Sequence, residues 1–246
     1  MKYILLLTLT LFSFKNSYAQ GSAGSRATIE SRTIVDMPTA GVIAKGKISA
    51  YTHAFENGGI MAEVSYGVFK NINIGASYSG TGIIGSGAMS FQGIPGAHIR
   101  ARILDEAIYY PGILLGVQTQ GRGAFLKALK SFQTPSPGAF IALSKAFTWK
   151  YGTLALHSGA NYSFEGNSTN RKVSYYGGVE QSLLKNVAIT LEYNALLQEG
   201  GDGLANAALR WSFAPGLTAE LQLRNLLKRA DEKIVRNIAL EYVMSF

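Results

Sequence analysis

The chain has 246 residues, 47% hydrophobic and 15% charged, with 28 glycines, 13 tyrosines, 12 phenylalanines, no cysteine and a net charge of +8. So much apolar content with so few charges excludes a disordered chain, and zero cysteines exclude a disulfide scaffold, a thiolate metal site, a cysteine nucleophile and a lipid-anchored cysteine. The composition suits an all-β protein, a membrane β-barrel apolar outside and polar within, and the scattered basic residues make no patch for nucleic acid.

Residues 1–19 read as a secretory signal peptide: Lys2 gives a positive start, 4–14 an apolar run, and Ser17 and Ala19 the small residues of a cleavage site before Gln20. The run is shorter than the roughly 18–20 residues a spanning helix needs. Residues 20–44 are expected to form a periplasmic N-terminal segment or a plug inside the barrel, and 45–246 the barrel itself. Later apolar stretches are all interrupted at alternate positions, so a membrane location requires a closed barrel.

Period-two alternation predicts strands over 45–54, 59–68, 72–80, 96–104, 110–120, 138–148, 152–164, 172–182, 186–197, 203–213, 217–226 and 234–246. About twelve strands of this length fit a closed antiparallel transmembrane barrel. Ile60, Ala62, Val64 and Tyr66 share one face of the second; Val187, Ile189, Leu191 and Tyr193 share one face of the ninth, opposite Thr190, Glu192 and Asn194. The strand over 138–148 is apolar on both faces. Turning Ile141 and Leu143 outward would place Lys145 in lipid, at about 2–4 kcal/mol near the midplane. Lys145 is therefore expected inside, with Phe140 and Ala142 outside.

Connections alternate between tight ones, near 69–71, 149–151 and 214–216, and long Gly/Ser-rich ones, 81–95 and 121–137. Short periplasmic turns and long outer loops are the outer-membrane arrangement. In the last strand Ile238, Leu240, Tyr242, Met244 and the terminal Phe246 fall on one face. This resembles the C-terminal signal read by the outer-membrane barrel assembly machinery, which, with outer-membrane lipid, is an expected partner.

No catalytic or metal site and no cofactor are expected. Gly80-Thr81-Gly82-Ile83-Ile84-Gly85 matches a dinucleotide fingerprint, but no helical pattern follows it, so it reads as a loop. A barrel lipase of the known type needs a histidine and a serine close together on one face. Two residues beyond His53, His98 and His157 stand Phe55, Arg100 and Gly159. The inward set is instead Lys47, Glu63, Arg100, Arg102, Lys145, Glu180, Glu192, Arg210, Glu220, Arg224 and Glu241, charges that cannot face lipid cheaply. Two readings stand. Either these charges pair and fill a narrow bore, or Arg100, Arg102 and Lys145 face Glu192 and Glu220 across it, making a transverse field suited to polar or anionic solutes such as saccharides.

Ile34-Val35-Asp36-Met37-Pro38-Thr39-Ala40, together with Gly93-Ile94-Pro95-Gly96-Ala97-His98-Ile99-Arg100 and Gly116-Val117-Gln118-Thr119-Gln120-Gly121, resembles segments of YjbH-like outer-membrane proteins. The resemblance covers short pieces of a chain smaller than that family's full-length members. It implies a porin-like barrel connected with exopolysaccharide production or export, and brings no catalytic residues. The expectation is a small transport channel or accessory barrel, with a closed structural or assembly barrel as the alternative.

Overall fold

The computed structural model describes residues 30–166, 173–184, 186–195, 203–228 and 233–245. Its strands are β1 (Lys47–Phe55), β2 (Gly59–Phe69), β3 (Ile72–Thr81), β4 (Ser90–Phe91), β5 (Gly96–Leu104), β6 (Gly112–Gln118), β7 (Arg122–Leu126), β8 (Ser131–Thr134), β9 (Gly138–Trp149), β10 (Gly152–Tyr162), β11 (Ser174–Leu184), β12 (Val187–Asn194), β13 (Leu204–Ala214), β14 (Leu217–Arg224) and β15 (Val235–Ser245). All pairings are antiparallel, and β1 pairs with both β2 and β15: Ala50 stands opposite Val64 on one side and Tyr242 on the other. The ring therefore closes as a barrel of twelve spanning strands, in which no strand edge is left unpaired. β4 and the β7–β8 hairpin are additions within the long loops, whose residues carry only turn signals.

The alternation works as read. Val64, Ile99, Leu191, Leu221 and Ile238 stand outside, each at least half exposed, while Asn73, Thr190, Asn194 and Asn206 on the inner face are at most 1% exposed. Aromatic pairs mark both ends of the outer wall: Trp149 with Tyr151 (centroids 4.9 Å) and Trp211 with Phe213 (5.2 Å) by the tight turns, Tyr162 with Phe164 (6.1 Å) by the long loops. Ile238, Leu240 and Tyr242 of the terminal pattern face outward beside Met244. Phe246, the signal peptide 1–19 and the first part of the 20–44 segment lie outside the described residues.

One strand departs from expectation. On β9, Phe140, Ala142, Ser144 and Ala146 face inward, and Ile141, Leu143 and Lys145 face outward. Lys145 stands opposite Leu156, which is exposed on the outer wall, so it does not line the lumen. It sits near the tight-turn end, where its ammonium bonds the Ala107 carbonyl and lies 3.3 Å from Glu106. The midplane cost used in the reading does not apply there, because the stem can run along apolar surface to a polar partner. Both faces of β9 are apolar for a physical reason: the inner one packs against chain inside the barrel.

Candidate functional site

Residues 30–44 run inside the lumen. They enter at the tight-turn end, reach toward the long loops, and return to start β1. Thr33 bridges to Pro38, the Ile34 N–H donates to the Met37 carbonyl at 2.8 Å, and the Thr39 N–H donates to the Arg32 carbonyl at 3.0 Å, so the segment is a narrow hairpin with residues 34–37 at its tip. Its arms are very close: a Cβ on Gly41 would lie 2.3 Å from the Ser31 carbonyl oxygen, which admits only glycine. From Ile34 to Ile43 no described residue exceeds 4% exposure among the hydrophobic ones.

One side of the hairpin is apolar. Ala40 and Val42 pack on Leu114, Phe140 and Ala142 of β6 and β9; Ile34 and Met37 pack on Tyr176 of β11. Each large apolar side chain buried this way is worth about 1.5–3 kcal/mol. The other side is polar and is held by the wall charges.

Glu192 of β12 grips the tip. Its Oε2 accepts the backbone N–H groups of Val35, Asp36 and Met37 at 2.9, 2.9 and 2.8 Å. Three converging amides form an anion cradle. Asp36 points the opposite charge relationship at the wall: Arg224 reaches its Oδ2 through Nε (2.9 Å) and an η nitrogen (2.7 Å), and Asn206 adds a third donor at 3.1 Å. Arg122 of the loop hairpin stands 3.7 Å from the other oxygen. Below the tip, Arg210 pairs with Glu220 (2.6 Å) and Glu180 (2.5 Å), and donates to the carbonyls of Thr33 (3.1 Å) and Ile34 (3.0 Å).

At the entry, charges on the segment complement the wall around them. Glu30 bonds Arg102 on β5, and Arg32 pairs with Glu241 on β15, while Arg100 donates to the Arg32 carbonyl at 2.7 Å. Burial outweighs pairing for both segment residues: it raises the Glu30 carboxyl above its ordinary value and pulls the Arg32 guanidinium down to about 10. Beside this entry a polar cavity of about 50 Å³ remains, touched by Arg32, Asn73, His98, Arg100 and Arg122. That is room for water but not for a sugar.

Of the residues singled out from sequence, Arg100, Arg102, Glu180, Glu192, Arg210, Glu220 and Arg224 are buried inside the barrel. Glu63 and Glu241 are inward and half-buried; Lys47 shares the register of inward Ser49 but is exposed at the rim; Lys145 is outside. β5 and β13 lie six places apart in the ring of twelve, so Arg100 and Arg102 do stand across from the Glu180, Glu192 and Glu220 region. They do not meet across an open bore, because the hairpin lies between them. Arg122, Asp36, Glu30 and Arg32 were not in the sequence set. Arg122 sits in a glycine-flanked loop, and only the motif around Asp36 hinted at that residue.

Two serine–histidine contacts also escaped sequence reasoning, since each spans paired strands. Ser144 lies 2.7 Å from His157 Nδ1, with its hydroxyl also accepting the Ala40 N–H at 2.9 Å. Ser65 lies 3.3 Å from His98 Nε2, but its proton goes to Glu63 at 3.1 Å. In the first the hairpin covers the serine, and in the second the carboxylate, not the imidazole, takes the hydroxyl proton. Neither arrangement activates a nucleophile.

No family model matches this chain, and no curated protein matches it by sequence. Among solved structures it is similar to the KdgM porin, at 10% identity and a TM-score of 0.52, covering 81% of this chain and 99% of that one. Two further similar structures are the KdgM porin in complex with disordered oligogalacturonate (11%, 0.46, 81% and 99%) and the outer membrane protein Omp33 of Acinetobacter baumannii (8%, 0.45, 81% and 97%). The first of these likenesses places the chain, by fold, among porin-like barrels.

Proposed function

We propose that this protein is an outer-membrane channel for small polar and anionic solutes, acidic saccharides in class, and that residues 30–44 close it in the state described. The observation that carries this reading is the lumen lining: it holds five buried arginines, Arg100, Arg102, Arg122, Arg210 and Arg224, and three of them, Arg102, Arg122 and Arg224, pair with carboxylates of the hairpin that shuts it. Arginine forks suit carboxylates of a passing solute equally well. The porin-like fold supports the reading, and so does the belt of exposed apolar residues with aromatics at both ends. In this reading the tight turns face the periplasm, and the alternation ending in Met244 and Phe246 serves the barrel assembly machinery as partner. The resemblance of residues 34–40 to YjbH-like proteins extends the proposal to exopolysaccharide.

The apolar packing of Ile34, Met37, Ala40 and Val42 favours a second reading, a permanently closed structural barrel. Planar-bilayer recording of refolded residues 20–246 separates the two. Ion-selective steps that grow when residues 20–40 are deleted support the gated channel. A folded barrel that stays silent with the segment deleted supports the closed one.

A further inference from the structure

The loop-end wall carries a receptor for one carboxylate, and its present occupant fits it imperfectly. Arg224 and Asn206 crowd three donors onto Asp36 Oδ2, while Oδ1 accepts no hydrogen bond and has Arg122 Nε only at 3.7 Å. A guanidinium holds a carboxylate best through two parallel bonds, one to each oxygen. The tip cannot turn to allow this, because its backbone is fixed on Glu192. Every group of the receptor belongs to the barrel or its loop hairpin: Arg224 to β14, Asn206 to β13, Arg122 to β7, and Thr134, which Arg224 bonds at 3.0 Å, to β8. Only the occupant belongs to the hairpin inside the lumen.

We propose that this cluster is a binding site for a carboxylate of a uronic-acid saccharide, and that Asp36 is its resident competitor. The inference rests on the channel reading in one respect, that solute reaches the lumen. The seated tip and the bound solute exclude each other, so an acidic saccharide binds the withdrawn state and holds it open. The apparent affinity of the unmodified protein is the intrinsic one reduced by the small fraction withdrawn, and a competitor on a short tether acts at roughly millimolar local concentration or above. A neutral saccharide has nothing to exchange with Asp36 and does not shift the equilibrium.

The test is calorimetric titration of the refolded chain in detergent with digalacturonate, with maltose as the neutral control. Asp36→Ala is expected to bind digalacturonate at least tenfold more tightly than the unmodified protein, and adding Arg224→Gln removes that gain. Asp36→Asn keeps the side-chain size and serves as a second variant if Asp36→Ala does not give a heat-modifiable barrel; it is expected to gain in the same direction. Equal affinity in the unmodified protein and both variants, or a gain that survives Arg224→Gln or extends to maltose, overturns the proposal. Conductance of the same samples separates this failure from that of the channel reading. Tighter binding with a silent bilayer keeps the receptor and removes the channel; a conducting bilayer with no gain in binding does the reverse.

Discussion

The Ile34 side chain occupies the space that a β-carbon on Gly178 would need: Cγ2 lies 2.7 Å from that position, and the Leu191 carbonyl oxygen lies 2.5 Å from it. A glycine at this inward position of β11 is therefore the seat of the hairpin tip. Gly178→Val fills that seat, and overpacking of this kind costs about 1–3 kcal/mol. The tip is expected to lift. Because the chain has no cysteine, Met37→Cys gives a single labelling site, and its maleimide modification should be at least tenfold faster when Gly178→Val is added. An unchanged rate would show that the tip stays seated.

Glu192 accepts three backbone N–H groups at once, and hydrogen bonds to a charged acceptor contribute about 1.5–3 kcal/mol each. Glu192→Ala should free the same labelling site by a larger factor than Gly178→Val. It should also raise bilayer conductance, whereas a substitution of outward-facing Leu191 should leave both readouts unchanged.

Arg210 pairs with both Glu180 and Glu220 in a buried setting. Removing the shared partner of two buried acids costs about 3–5 kcal/mol. Arg210→Ala is expected to lower the urea midpoint of the barrel, and replacing Glu180 and Glu220 by Gln in the same chain should recover most of the loss. A midpoint that stays low in the triple variant would mean that the guanidinium matters chiefly through its bonds to the Thr33 and Ile34 carbonyls.

Lys145 stands outside the bore and Arg100 within it. In a conducting background such as Asp36→Ala, replacing Arg100 and Arg102 by Ala should move the reversal potential in a salt gradient toward cation preference. Lys145→Leu should leave it unchanged. A shift with Lys145→Leu would contradict the outward placement.

The barrel was legible because its signal recurs along the chain: about half of the strands alternate cleanly, and an error in one does not disturb the others. The reading failed on β9, where both faces are apolar. There the rule that the lumen is polar gave way to packing of Ala40 and Val42 on Leu114, Phe140 and Ala142. The inward arginines and glutamates could be named from parity alone, but their partners could not. Asp36 meets Arg224 across 188 positions of sequence, and Glu192 meets Val35 across 157. Contacts of that span depend on ring closure, which no local pattern encodes. The β7–β8 hairpin and its Arg122 were hidden in a stretch whose glycines read as loop.

The hairpin precedes every strand in the chain, yet its partners lie on β5, β12, β13 and β14 as well as on β1 and β15. A ring that closed first would have to admit the hairpin through its end and past walls already lined with charge. A ring that closes last, when β1 meets β15, can wrap around a hairpin already lying against those strands. In that order of closure the segment is a mandrel for the wall, offering partners to Arg102, Glu192, Arg210 and Arg224 before the seam is shut.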